Sequence, residues 1–301
     1  MIEHAQNINN AIVTMDVALP GIVWGWMITL NMWAKSIATG VILVGAYLLA
    51  RYSKDNKDLK GLKNIIPIIA FIFLNIFLLF TLLDLHQPFR MINIFLHPHW
   101  TSAITVGAWL ASALTGAIAF LVYLVMFKNE TGELYDKVMK IATVLAIPVT
   151  LYTAVIMGQS SARELWQTPA ELVQMALAAS LVGAATLSFF SDRWSANVKR
   201  DLGIIMATSA FLMFTVYMGE YFLSWKLAEA EATMAYVHSG GEYNFMFWLG
   251  QTAIFAAFAL AFMSTRNSSG GMLKLAAIIS IVGLYIAKHV WLIIPQLLPL
   301  S

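Results

Sequence analysis

The sequence predicts an all-α integral membrane protein that crosses the bilayer eight times. Three observations carry that prediction. Hydrophobic residues make up 60% of the 301 positions and charged residues only 11%, against about 25% charged in soluble domains. Eight apolar runs each reach the ~20 residues that a crossing helix needs. Lys and Arg fall overwhelmingly in alternate links. The chain also lacks the dyad alternation of a β-barrel, so helices must satisfy the backbone within lipid.

In order, the predicted spans cover 21–50, 64–85, 101–127, 137–158, 169–190, 203–225, 243–264 and 272–299. The first opens on two tryptophans, Trp24 and Trp26, and carries Asn31 and Lys35 one helical turn apart. The second ends on Asp84. The link after it, LLDLHQPFRMINIFLHPHW over 82–100, is dense in acid, arginine, histidine and proline. The fourth span holds Tyr152, and the link SSARELWQTP (160–169) adds Arg163 and Trp166. Glu220 lies about one turn from the end of the sixth span, and Lys288 and His289 lie in the last. The links are short and no tandem repeat is visible, so residues 1–301 read as one membrane domain.

Orientation follows from the basic residues. Arg51, Lys54, Lys57, Lys60, Lys63, Lys128, Lys137, Lys140, Arg193, Lys199, Arg200, Arg266 and Lys274 fall on one side. Arg90, Arg163 and Lys226 fall on the other, while Lys35 and Lys288 are inside spans. This places both termini outward, with the two polar links. Trp24, Trp26, Trp100, Trp166 and Trp225 cluster near outward span ends, as an interfacial belt does. The N-terminal MIEHAQNINNAIVTMD has no basic region, and no cleaved leader is expected.

Several chemistries are excluded or disfavoured. There is no cysteine, hence no disulfide, no thiolate cluster ligation and no cysteine catalysis. Bis-histidine haem needs two facing span histidines, and only His289 lies inside a span, so neither haem nor another bound redox metal is expected. The His97-Pro-His99 pair lacks a third ligand. A net charge of +2 suggests no nucleic-acid partner; the lipid bilayer is the expected surrounding.

Ionisable residues at membrane depth cost several kcal/mol and are functional candidates by default. Lys35, Asp84 and Glu220 are the candidate proton relays. Lys35 can instead pin helices through an acid, Asp84 can clamp its loop with Arg90, and Lys288 can snorkel to the surface. Asn75 and Gln251 are expected to make interhelical hydrogen bonds.

Three segments resemble one family. DLHQPFR (84–90) with LHPHWTSAITVGAW (96–109) is similar to a D-L-G-x-P-x-R…P…S-x-x-T-x-G-x-W pattern. LYTAVIMGQSSARELWQTP (151–169) is similar to Y-T-G…A-R-x-L-W-x-T-P. WGWMITLNMWAKSIATG (24–40) is similar to a W-x-W opening followed by small residues. These are patterns of the NrfD-like membrane subunits, typified by that of polysulfide reductase. The resemblance covers essentially the whole chain, although His86 stands where the family has glycine.

The resemblance implies two four-helix bundles in the inner (cytoplasmic) membrane, with no cofactor held by this chain. It implies a membrane anchor that binds menaquinone or a related quinone near the outward face. Electrons then pass between menaquinol and a four-cluster iron–sulfur subunit, which serves a catalytic subunit that is often a molybdopterin enzyme. By position, Asn31 and Tyr152, with Trp24 and Trp26, would contact the quinone, and the chain would carry that half-reaction. Asp84, Pro88, Arg90, Arg163 and Trp166 would form the rim where partners dock. An ion or proton transporter without a redox partner, or a purely structural anchor, are the competing readings.

Overall fold

The computed structural model describes residues 22–52, 56–85, 87–160, 163–224, 228–267 and 270–298, with the backbone alone at 56–59 and 267. The N-terminal leader question, His4, His86, Trp225, Lys54 and Lys226 lie outside the described residues, as does the Lys57 side chain.

Eight helices are long and apolar enough to cross a membrane. They are α1 (Trp26–Arg51), α2 (Asn56–Asp84), α4 (Ala103–Phe127), α5 (Glu133–Gly158), α6 (Thr168–Ser188), α7 (Ala196–Leu223), α9 (Asn244–Asn267) and α10 (Gly270–Ile293). Two shorter helices, α3 (Asn93–Leu96) and α8 (Ala228–His238), lie in links. No strand occurs among the described residues.

Most predicted boundaries fall within a few residues of the observed ones. The largest differences are at the start of α2, which begins at Asn56 rather than 64, and of α7, which begins at Ala196 rather than 203. The extra turns of α7 carry Lys199, Arg200 and Asp201, which a helix tolerates, and Asp201 is buried in an ion pair with Arg51. Helix α8 was not anticipated. Its sequence, AEAEATMAYVH, is rich in helix formers but too short and polar to read as a span.

The helices contact one another in two closed circuits. In the first, α1 packs on α2, α2 on α4, α4 on α5, and α5 returns to α1. In the second, α6 packs on α7, α7 on α9, α9 on α10, and α10 returns to α6. The circuits meet through α1 on α6, α5 on α6 and α10 on α1. Burial follows this layout. Within their most apolar stretches α1, α6 and α10 are 72%, 67% and 61% buried, against 33% for α2, α4, α5 and α9, so the first three are central helices.

Small residues allow the central contact. A Cβ on Gly40 of α1 would collide with the Ala179 carbonyl of α6, and one on Gly183 would collide with Gly40. With little hydrophobic drive between helices in lipid, such close backbone approach is a main source of attraction. One contiguous apolar core draws on both circuits, including Ile37, Ile66, Leu114, Val149, Leu181, Met206, Ile254 and Leu284.

Buried hydroxyls mostly turn back on their own helix. Ser36 donates to the Met32 carbonyl, Thr150 to Ala146 and Ser280 to Ala276. Asn75 does the same, donating to Phe71 four residues back at an exposed position. Among the described residues its side-chain bond is this local one, in place of the interhelical bond expected of it. Gln251 is buried, and its Oε1 has no hydrogen-bond partner, so the bond expected there is absent at that atom too.

Candidate functional site: a buried polar junction beneath an outer cover

At one end of the helices, three segments interlock. Gln296 accepts hydrogen bonds from the backbone amides of Val23 and Trp24, both at 2.9 Å, and donates to the Trp24 and Leu292 carbonyls. Trp24 stacks on Trp166 with ring centroids 5.3 Å apart. The Trp166 indole donates to the Trp291 carbonyl at 3.2 Å. Arg163 donates to the Pro295 and Leu298 carbonyls. The start of α1, the link before α6 and the end of the chain's last helix thus cover the junction below.

This arrangement corrects two expectations. Arg163 and Trp166 are 7% and 4% exposed. They hold the chain's own C-terminal segment and offer no open surface to a partner, and Trp166 is no interfacial belt residue. By contrast Arg90 is exposed, Asp84 and Pro88 are half-buried, and the link around them carries exposed Phe89 and Trp100. Trp26 is 54% exposed and packs edge-on against Phe80 of α2. His99 is hydrogen-bonded to Thr101 within its own turn at 2.9 Å.

Helix α8 is latched to the same cover. Glu229 accepts from the Leu165 amide at 3.0 Å, and its other carboxylate oxygen lies 3.7 Å from Arg163. The Glu229 amide in turn donates to Glu164 at 2.9 Å. Burial pushes the Glu229 carboxyl up to about 6, against the opposing pull of the Leu165 amide and Arg163.

Below the cover, the first circuit places three of the expected residues in sequence. Asn31 is buried on α1, and its amide nitrogen donates to the Phe77 carbonyl at 2.9 Å and the Thr81 hydroxyl at 2.5 Å, both on α2. One turn on, on the same face, Lys35 is fully buried. Its ammonium donates to the Thr153 hydroxyl of α5 and lies 4.7 Å from the centre of the Tyr152 ring. The ring lies against Gly107 of α4, where an added Cβ would overlap it. Asn31, Lys35 and Tyr152 therefore line the interior of α1, α2, α4 and α5. The ring contacts of Trp24 and Trp26 are with Trp166 and Phe80 instead.

The second circuit supplies residues that sequence reasoning missed. Glu171, in the first turn of α6, is 1% exposed and accepts a hydrogen bond from the Trp291 indole at 2.8 Å. Lys35, Lys288 and Glu220 all lie within electrostatic reach of its carboxylate. Lys288 is 3% exposed and does not snorkel. Its ammonium meets the Met175 thioether at 3.4 Å. The neighbouring carboxylate makes it cheaper to keep inside. No ion pair within 4 Å joins Lys35, Lys288 and Glu171 among the described residues. Gln174, one turn along from Glu171, and Tyr217, edge-on to Trp291 at 4.9 Å, are buried with the Gln174 amide nitrogen and the Tyr217 hydroxyl unpartnered in the protein. Buried polar groups of this kind are ordinarily met by ordered water.

Glu171 was hidden by its position. An acid two residues after a proline at a helix start reads as a first-turn residue facing the helix dipole. The available signal was spacing: Glu171 and Gln174 share a face with the small residues of α6, and Lys288 shares one with Trp291 on α10. His289, on the other side of α10, is hydrogen-bonded to Thr29 at 3.0 Å and stacked on Tyr285.

The arrangement is a set of titratable and hydrogen-bonding side chains, sealed from above and reaching from α2 through α1 and α5 to α6, α10 and α7. No curated protein matches the chain. The family model described as polysulphide reductase, NrfD, matches residues 17–299, and the chain belongs to that family.

Proposed function

We propose that this chain is the quinone-reactive membrane anchor of a polysulphide-reductase-like respiratory complex. On this reading the contact circuits are two four-helix bundles of one membrane domain in the cytoplasmic membrane. Both termini, the cover and the 85–102 link face outward. The loop charges support the orientation, and the family match supports the subunit type.

The observation that carries the site is Lys35, fully buried between Asn31 and Tyr152. A quinone ring needs an apolar slot with one polar group for each carbonyl oxygen. Tyr152 supplies a hydroxyl that donates to a carbonyl or accepts from a quinol. Both hydrogen bonds made by Asn31 use its amide nitrogen, so its Oδ1 is the atom suited to accept from a quinol hydroxyl. Menaquinone or a related quinone is the substrate in this reading.

Quinol oxidation yields the quinone, two electrons and two protons. The electrons leave to a four-cluster iron–sulfur partner docked on the exposed link at Asp84, Pro88 and Arg90, and from it to a catalytic subunit of the molybdopterin type. The protons pass to Lys35 and Glu171, then by the Tyr217 face of α7 to Glu220 near the outer end. The same residues serve quinone reduction when flow reverses.

The test uses the purified complex. Tyr152→Phe and Asn31→Ala should each lower quinol-coupled turnover at least tenfold while turnover with an artificial donor to the partner subunit is kept. Unchanged quinol turnover in both variants would place the site elsewhere.

A further inference from the structure

At the end of the helices opposite the cover, a groove of about 670 Å³ opens between α7 and α9. Its mouth carries Arg200, Arg266, Asn197 and Thr265, and its wall is built from Ile204 and Phe262. The Arg266 guanidinium sits over the Phe262 ring, 4.8 Å from its centre, which holds the cation at the groove.

Several other basic residues at this end are paired with carboxylates. Arg51 pairs with Asp201 at 2.6 Å, Lys63 with Asp136 at 2.6 Å and Lys274 with Asp192 at 2.5 Å. Neither Arg200 nor Arg266 has a carboxylate within 4 Å among the described residues. Two guanidinium groups therefore face one groove with their charge uncompensated.

The groove continues into an apolar track. From Phe262 the rings pass to Phe258 at 6.1 Å, then to Phe211 at 5.2 Å and Phe255 at 5.7 Å. Phe262, Phe211 and Phe255 are each nearly half exposed on the outer surface of α7 and α9. Positions 255 to 262 span roughly 10 Å along the helix axis. At the mouth α7 and α9 are held close: a Cβ on Gly203 would lie 2.8 Å from the Thr265 methyl.

We propose that this groove binds one anionic phospholipid. Its phosphate is held by Arg200 and Arg266, with the Asn197 side-chain amide beside it, and one acyl chain lies along the phenylalanine track. A phosphodiester offers two non-bridging oxygens to guanidinium donors. Basic pockets between membrane helices at the head-group level recognise such lipids. The apolar track argues for a lipid over free phosphate, because phosphate has nothing to lay along it. The site is separate from the polar junction, and lipid bound here would brace α7 against α9 in the second circuit.

The experiment is native mass spectrometry of the intact complex after exchange into nanodiscs of phosphatidylcholine mixed with phosphatidylglycerol. Wild-type protein should retain phosphatidylglycerol in preference to phosphatidylcholine. Retention should fall about fivefold in R200Q or R266Q and about thirtyfold in the double variant, given about 1 kcal/mol for each basic residue near the head groups. R200K with R266K should keep most of it, which separates lost charge from a folding defect. Glycerol phosphate, the head group without chains, should fail to displace the lipid at equal concentration. Equal lipid retention in wild type and R200Q/R266Q would overturn the site. Displacement by glycerol phosphate or inorganic phosphate would overturn the lipid in favour of a simple anion site.

Discussion

The Lys35 ammonium on α1 is hydrogen-bonded to Thr153 on α5 and lies 4.7 Å from the Tyr152 ring. One contact therefore joins the deepest cation of the first circuit to the residue assigned to the quinone. Lys35 has no carboxylate within 4 Å among the described residues, so an apolar side chain of similar shape removes the cost of burying a lone charge. Lys35→Met should leave the thermal midpoint of the complex unchanged or slightly raised, while quinol-coupled turnover falls at least tenfold. Thermal unfolding and turnover measured on one preparation separate the two effects. Full activity would reduce Lys35 to a pin between helices.

Gly107 sets how close α4 comes to the Tyr152 ring. Gly107→Ala should push the ring off its seat and destabilise the protein by about 1–3 kcal/mol, the usual cost of overpacking. The ring bears the proposed quinone contact, so KM for quinol should rise more than kcat falls. Steady-state kinetics over a range of quinol concentrations measures that split.

At the central crossing, Gly40 faces Gly183 with no room for a side chain. Gly183→Leu should force α1 and α6 apart and cost at least about 2 kcal/mol. The expected result is loss of monodisperse protein on size exclusion, or an SDS unfolding midpoint well below wild type. Gly116→Leu, at a position open to the surroundings, should behave as wild type in both assays.

The latch on α8 predicts a pH dependence. Burial raises the Glu229 carboxyl from 4.5 to about 6, so the folded state binds this proton more tightly than the unfolded one. The stabilisation is fully present below about pH 4.5 and is lost as pH rises through about 6, a change of about 2 kcal/mol. Proteolytic cleavage within 228–238 should thus be slower at pH 5 than at pH 7.5, once scaled to an unstructured control peptide. Glu229→Gln, which can still accept from the Leu165 amide, should flatten the profile.

The eight spans were legible because lipid imposes a length and a composition on every crossing helix. Asn31 and Lys35 could be paired from their spacing alone, since four residues return a helix to the same face. The contact of Lys35 with Tyr152 and Thr153 was not legible. It depends on how α5 is rotated against α1, and no local pattern records that. Glu171 failed for a different reason: a first-turn acid is ordinary, and only its packing against α10, where the Trp291 indole donates to it, shows it buried. For Lys288 the sequence left snorkelling open, and burial closes that option because it serves only a lysine with a path to the surface.

The placement of Lys35 also has a consequence for biosynthesis. Helix α1 leaves the ribosome before α5: Thr153 is made 118 residues after Lys35, and Glu171 and Lys288 later still. During that interval a lysine-bearing helix has none of its eventual partners beyond α2. Until the central helices arrive, α1 therefore carries the cost of a lysine at membrane depth without the contacts that offset it.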